Sequence, residues 1–129
     1  MATANARPLL LLVEDYAETR QMYAEYLGET FDVMQAGDGQ EALDIIAANV
    51  PALIITDLTL PGIDGFELIR QMREKAATSR VPVICLSGHA GRAHERRALE
   101  VGCDRVLEKP CLPDALARTI QELVCGSLH

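Results

Sequence analysis

Five polar side chains stand at the ends of short, strand-like runs: Glu14, Asp15, Asp57, Ser87 and Lys109. Three of them are carboxylates, which repel one another at short range unless a cation neutralises them. Their oxygen-only donors suit Mg²⁺, which takes one or two carboxylates together with waters and phosphate oxygens. No histidine or cysteine ends such a run, so the pattern does not favour zinc. A carboxylate, a hard cation, an ammonium and a hydroxyl together indicate a site where an aspartate takes up a phosphoryl group.

The segments that must position these groups alternate between short apolar runs and longer amphipathic stretches. The runs predict five strands, at residues 9–13, 31–34, 52–56, 81–86 and 105–108. The first, third and fourth runs are apolar on both faces, which is typical of central strands in a parallel sheet covered by helices. The second run is less uniform and predicts a strand nearer an edge.

Apolar residues at spacings of three and four predict five helices between the strands, at residues 16–27, 40–49, 66–77, 90–101 and 113–124. Asp64 is interpreted as the N-cap of the third helix and Gly102 as the end of the fourth. The strict alternation predicts an α/β fold with right-handed crossovers and helices on both faces of a parallel sheet. Ligands bind beyond the carboxyl ends of the strands in such sheets, so the five polar side chains are expected to ring one pocket.

Composition limits the functions that this sequence can serve. The 129 residues predict one domain, and 49% hydrophobic with 24% charged residues is ordinary globular composition. The net charge of −7 argues against nucleic acid as a direct partner. No apolar run reaches the roughly 20 residues of a membrane span, and residues 1–8 lack a signal-peptide pattern, so we expect a cytoplasmic protein without membrane insertion. The four cysteines lack zinc-site spacing and are interpreted as small apolar residues in a reducing compartment.

Four motifs carry a resemblance to a known family: the Glu14-Asp15 pair, the segment 57–65, Ser87-Gly88-His89 and Lys109-Pro110. In this order, each at a strand end, they resemble the receiver domain of two-component response regulators. The resemblance covers about residues 9–124 and implies a flavodoxin-like (βα)5 fold with strand order 2-1-3-4-5. It places an N-terminal extension at residues 1–8, the receiver domain at 9–125 and a C-terminal tail at 126–129.

The resemblance also implies a role for each matching residue. Asp57 would accept the phosphoryl group, which the Ser87 hydroxyl and the Lys109 ammonium would contact. The implied ligands of Mg²⁺ are Glu14, Asp15, Asp57 and the backbone carbonyl of Thr59.

Further residues are expected to modulate this chemistry. Gly88 would leave room for the phosphoryl group, and Thr59 and His89 would line the route of attacking water. The bond before Pro110 is expected to be cis. Val106 departs from the family, because receivers often carry Tyr or Phe three residues before the lysine. A valine has no ring that could swing inward on activation. The coupling that receivers often show between the serine at position 87 and an aromatic side chain at position 106 is therefore not expected here.

The implied function is to take a phosphoryl group from a histidine kinase or a histidine phosphotransfer protein and to switch binding to a downstream protein effector. Such a protein, a monomer or weak dimer, is not an enzyme beyond its own Mg²⁺-dependent phosphorylation and dephosphorylation. The alternative is a pseudo-receiver that binds partners without phosphorylation, which Val106 favours. A phosphatase of the haloacid dehalogenase type is disfavoured, because its second aspartate would fall at Thr59.

Purely structural interpretations compete for some of these residues. Asp15 could cap the first helix, and Asp57 could be a turn residue before Pro61-Gly62. The basic stretch at residues 92–97 is either a solvated helix face or a contact for a partner.

Overall fold

The computed structural model describes residues 7–88 and 91–126, with side chains through residue 124. The five strands are β1 Leu9–Val13, β2 Asp32–Ala36, β3 Leu53–Asp57, β4 Val83–Ser87 and β5 Arg105–Glu108. The five helices are α1 Ala17–Leu27, α2 Gly39–Ala48, α3 Gly65–Glu74, α4 Arg92–Val101 and α5 Pro113–Gly126.

The strands form one sheet in the order β2-β1-β3-β4-β5, and every neighbouring pair is parallel. This confirms the predicted flavodoxin-like α/β fold and its strand order. The chain crosses from β2 on one side of β1 to β3 on the other, so the order reverses beside β1. The carboxyl ends of β1 and β3 meet at this switch point, which is where ligands bind in open α/β sheets.

The core has two parts, one on each face of the sheet. Leu11 and Val13 pack into one cluster with α2 and α3, whereas Leu10 and Leu12 pack into the other with α1 and α5. Alternate side chains of a strand point to opposite faces, so a strand buried on both sides must be apolar throughout. This explains the unbroken run of residues 9–13.

Helix caps set where the amphipathic stretches begin and end. The Asp64 side chain accepts a hydrogen bond from the Glu67 amide at 2.9 Å, which confirms Asp64 as the N-cap of α3. Gly102 ends α4 with a φ of 116°, a left-handed conformation that favours glycine. The N-cap of α1 is Tyr16, without a side-chain cap, so the alternative interpretation of Asp15 as a helix cap is wrong.

Several predicted element ends are shifted by a few residues. Strand β4 begins at Val83 instead of residue 81, because Pro82 has no amide hydrogen and the Val81 amide bonds back to Thr78. Strand β2 begins at Asp32, since the Phe31 amide still bonds to the Leu27 carbonyl at the end of α1. Helix α3 ends at Glu74, three residues earlier than expected.

The residues before β1 also contact the sheet. The Asp32 amide donates to the Pro8 carbonyl at 3.0 Å, and the Arg7 guanidinium donates to the Phe31 carbonyl at 2.7 Å. Among the described residues, no helix is both long and apolar enough to cross a bilayer.

Candidate functional site

Three carboxylates converge where β1 and β3 end. Glu14 and Asp15 follow β1. Asp57 is the last residue of β3, whereas the sequence prediction ended this strand at residue 56. One carboxylate oxygen from each residue lies within 4.8 Å of the other two. Glu14 and Asp57 are buried, at 1% and 6% exposure, whereas Asp15 is exposed. The pocket therefore opens to solvent on the side of Asp15.

Lys109 bridges the two buried carboxylates. Its Nζ atom lies 2.7 Å from Oδ2 of Asp57 and 2.9 Å from Oε1 of Glu14. Burial by itself would lower the pKa of Lys109, but the hydrogen bonds to Asp57 and Glu14 outweigh it and raise that pKa. Lys109 therefore stays an ammonium and partly compensates the negative charge of the pocket.

Backbone amides hold the remaining oxygens of the buried carboxylates. The Tyr16 amide donates to Oε2 of Glu14 at 3.0 Å, and the Thr59 amide donates to Oδ1 of Asp57 at 3.3 Å. Both amides belong to loops at the carboxyl edge of the sheet. The loop conformations thus orient the carboxylates, in addition to the ion pairs with Lys109.

Gly65 allows the loop after β3 to close against Asp57. A Cβ atom on Gly65 would lie 2.5 Å from the Asp57 carbonyl oxygen and 2.8 Å from Cα of Leu58. The Gly65 amide donates to the Leu58 carbonyl at 3.0 Å. The start of α3 therefore packs directly on the backbone that carries Asp57.

Ser87 and Gly88 lie at the carboxyl end of β4, on the side of Asp57 that faces β5. Leu86 is the register partner of Asp57, so the buried Ser87 lies one residue further along the neighbouring strand. The Ser87 carbonyl accepts a hydrogen bond from the Lys109 amide at 2.8 Å, which connects the ends of β4 and β5. Among the described residues, no atom lies within 4 Å of where a Cβ on Gly88 would be, so this position faces open space.

The other residues singled out in the sequence fall at or next to this edge. The Lys109–Pro110 bond is cis, as predicted. Val106 pairs in register with Cys85 and packs against the core cluster that contains Val83. His89 lies outside the described residues.

A family model described as the response regulator receiver domain matches residues 10–121. The chain belongs to this family. It is a receiver domain of two-component signal transduction, as its site motifs and strand order indicated.

The relatives of this receiver domain include regulators and kinases. Response regulator Rre1 of Synechocystis sp. is 32% identical over 122 residues, which cover 92% of this chain and 53% of Rre1. Sensor histidine kinase RcsC of Salmonella typhi is 31% identical over 120 residues, which cover 92% of this chain and 12% of the kinase. The receiver domain thus spans about half of the first relative and a small part of the second.

Solved structures agree with this assignment. The chemotaxis protein CheY4 of Vibrio cholerae superposes with a TM-score of 0.87 at 28% identity, covering 92% of this chain and 99% of CheY4. The receiver domain of the Francisella response regulator 1452 superposes with a TM-score of 0.87 at 29% identity. The match covers 93% of this chain and 98% of the Francisella domain.

The acidic pocket of the receiver domain fits a divalent cation. Three acidic side chains converge at the site, and a single lysine ammonium faces them. All the side-chain donors are oxygens, which Mg²⁺ prefers, and the exposed Asp15 gives the site access to solvent. Glu14, Asp15 and Asp57 are therefore the side chains that could hold the ion.

Two residues that stabilise this edge were not identified from the sequence. Arg20 on α1 donates from Nη1 to the Glu14 carbonyl at 2.8 Å, and the Tyr23 hydroxyl donates to the Cys111 carbonyl at 2.6 Å. Both acceptors are backbone carbonyls, which no pattern of side chains can indicate. Tyr23 belongs to the spacing of three and four that predicts α1, and that spacing says nothing of a partner for its hydroxyl.

Proposed function

We propose that this receiver domain accepts a phosphoryl group on Asp57 from a histidine kinase or a histidine phosphotransfer protein and then changes its binding to a downstream protein effector. One observation carries the proposal: the buried Asp57 carboxylate lies within reach of two further acids and 2.7 Å from the Lys109 ammonium. A structural aspartate would not need this arrangement of charge around it.

In the proposed reaction an Asp57 carboxylate oxygen attacks the phosphorus atom of phosphohistidine. The new P–O bond forms as the P–N bond breaks, and the electron pair of that bond returns to the imidazole. Lys109 pairs with the phosphoryl oxygens instead of the carboxylate, and the Ser87 hydroxyl donates a hydrogen bond to them. Glu14, Asp15, Asp57 and the Thr59 carbonyl would hold Mg²⁺, which would supply positive charge that offsets the charge of those oxygens.

The product is an acyl phosphate, whose phosphoryl group carries about −1.5 to −2 charge in place of the single charge of the carboxylate. We propose that this charge biases a pre-existing equilibrium of the surrounding loops and α4, by favouring the state in which Ser87 and Lys109 contact the phosphoryl group. The open space at Gly88 would accommodate that group, and Thr59 and His89 would influence the access of water to it. Pro110 would hold the loop after Lys109.

An exposed apolar surface along α1 and the start of α5 supports a protein as phosphoryl donor. Four large hydrophobic side chains exposed there lie on α1, at its N-cap or just before α5: Tyr16, Met22, Tyr26 and Leu112. Met22 and Tyr26 line a groove together with three glutamates of α1 and its C-terminal turn, Glu18, Glu25 and Glu29. Apolar area with an acidic rim suits a partner that presents an apolar surface with basic flanks.

The remaining parts of the proposal follow from the same function. The receiver domain occupies residues 9–125 and acts in the cytoplasm, where kinases can phosphorylate it, as a monomer or weak dimer. It turns over no substrate other than its own phosphoryl group. It contacts neither nucleic acid nor the membrane interior, which agrees with its net charge of −7.

A pseudo-receiver is the second candidate, and Val106 favours it. A half-buried valine packed on the core replaces the aromatic side chain that often reports activation at this position. In such a module Lys109 and the carboxylates would serve stability only, and partner binding would not depend on phosphate.

Incubation with acetyl phosphate and Mg²⁺, followed by intact-mass analysis, separates the two candidates. We expect the parent to gain one phosphoryl group that hydroxylamine removes, and Asp57→Asn to gain none. The control is Asp44→Asn, an exposed change on α2 that should label like the parent. A phosphoryl group on Asp57→Asn would show that another residue is the acceptor. A parent that gains no phosphoryl group would favour the pseudo-receiver.

A further inference from the structure

We propose that Arg20 is a positioning residue that holds the β1–α1 loop in the conformation needed for divalent-cation binding by Glu14 and Asp15. The Nη1 atom of Arg20 donates to the Glu14 carbonyl at 2.8 Å, and its Nε atom donates to Oε1 of Gln35 at 3.3 Å. The guanidinium thus links the loop that carries two of the acids to α1 and to β2. The inference rests on the proposed function only in requiring that the site binds the cation.

The β1–α1 loop needs such a tether because its other hydrogen bonds to the sheet fix only the end at Glu14. The Glu14 amide donates to the Ala36 carbonyl at 3.0 Å, which fixes the end of β1 against β2. Beyond Glu14 the chain turns into α1 without a side-chain N-cap, and Asp15 is exposed. Arg20 reaches back from α1 and donates to the Glu14 carbonyl, which tethers the loop to the helix.

The surroundings of Arg20 keep its guanidinium in place. A Cβ atom on Gly37 would lie 3.3 Å from Nη1, so the turn after β2 packs closely against the guanidinium. The Gly37 amide in turn donates to Oε1 of Glu41 at 2.7 Å, which ties this turn to α2. Arg20 is therefore held between two loops at the edge of the pocket.

A lysine at position 20 separates positioning from charge. It would keep the positive charge but could not bridge two acceptors as the planar guanidinium does. Without one bridging hydrogen bond the loop should occupy the cation-binding conformation less often, which should weaken Mg²⁺ binding about threefold. If Arg20 acted through its charge alone, the lysine variant would bind the ion as the parent does.

The experiment measures the Mg²⁺ dissociation constant by calorimetry and the hydrogen exchange of the Tyr16 amide for the parent, Arg20→Lys and the exposed α5 control Arg118→Lys. We expect Arg20→Lys to bind Mg²⁺ about threefold more weakly and to exchange the Tyr16 amide faster, because that amide donates to Glu14. Arg118→Lys should match the parent in both measurements.

Two results would overturn the positioning role. An unchanged dissociation constant in Arg20→Lys contradicts it whatever the exchange rate, and a weaker constant with unchanged exchange would mean that the loop is not held by Arg20. A parent that binds no Mg²⁺ would instead refute the metal site in the proposed function, so the two failures are distinguishable.

Discussion

Lys109 and Asp57 are 52 residues apart in the sequence, yet their side chains form a 2.7 Å ion pair at the carboxyl edge of the sheet. The same ammonium contacts Glu14, so one lysine compensates two buried acids. This relationship gives Lys109 two functions. It pairs with two buried acids, and in the proposed function it is already in place for an anion that forms on Asp57.

Removal of this ammonium should destabilise the domain through carboxylate repulsion. We expect Lys109→Met to lower the free energy of unfolding by about 1–3 kcal/mol in the presence of EDTA, because the buried Glu14 and Asp57 lose their half-buried counterion. Millimolar Mg²⁺ should restore most of this loss, because it would neutralise the same acids. Urea denaturation of the parent and variant with and without Mg²⁺ measures both effects. Equal losses in both conditions would contradict the metal site.

The exposed Glu67–Arg70 pair on α3 predicts a pH effect. Hydrogen bonds from Arg70 and then Gln71 lower the pKa of Glu67 to about 2. Because the pKa in the folded state lies below the ordinary value of 4.5, this contribution to stability is complete above pH 4.5 and is lost as the pH falls towards 2. NMR titration should find the pKa of Glu67 higher in Arg70→Gln than in the parent, though still lowered by Gln71, and unchanged in the control Arg118→Gln. An unshifted pKa in Arg70→Gln would exclude Arg70 as the cause.

The Tyr23 hydroxyl should stabilise the segment that follows β5. It donates to the Cys111 carbonyl at 2.6 Å, so Tyr23→Phe should lower the free energy of unfolding by about 1 kcal/mol at neutral pH. Burial also raises the pKa of Tyr23, so its contribution is complete below pH 10 and declines as the pH rises through the raised value. The control Tyr26→Phe changes an exposed ring of the same helix and should be neutral. Equal stability of both variants would show that the bond contributes nothing.

Arg73 joins the end of α3 to the loops before β4 and β5. Its guanidinium donates to the side chain of Asp104 and to four backbone carbonyls, those of Thr78, Ser79, Val81 and Gly102. We expect Arg73→Met to lower the free energy of unfolding by about 2 kcal/mol or more, because several carbonyls lose a charged donor together. Arg70→Met is the matched control, since its ion pairs are exposed and should contribute much less to stability. Similar losses in thermal or urea unfolding would refute the bridging role of Arg73.

Substitution of two glycines near the pocket by alanine should have very different effects on stability. Gly88→Ala places a methyl group in open space and should change stability by less than about 0.5 kcal/mol. Gly65→Ala would force a methyl group against the backbone of Asp57 and should cost about 2 kcal/mol or more. Chemical denaturation of both variants checks this contrast. Comparable stability would mean that the loop after β3 relaxes to accept the side chain.

The sequence by itself determined the fold class and the edge of the sheet where the site lies. Apolar runs such as residues 9–13 reflect burial on two faces, and this requirement acts on each strand separately. Asp64 caps α3 by accepting a hydrogen bond from the Glu67 amide, only three residues away, so the local sequence was enough to predict this role. Local constraints of this kind survive in any context that keeps the strand or helix.

The tertiary structure alone decided which groups touch. Whether Lys109 reaches Glu14 as well as Asp57, and whether Arg20 reaches the Glu14 carbonyl, depends on distances between separate elements that must be correct to within an ångström. Those distances are set by the packing of helices on the sheet and by strand register, which involve residues far apart in the chain. The observed starts of β2 and β4 differ from the predicted ones for the same reason. The Phe31 and Val81 amides donate to carbonyls across a turn instead of to a neighbouring strand.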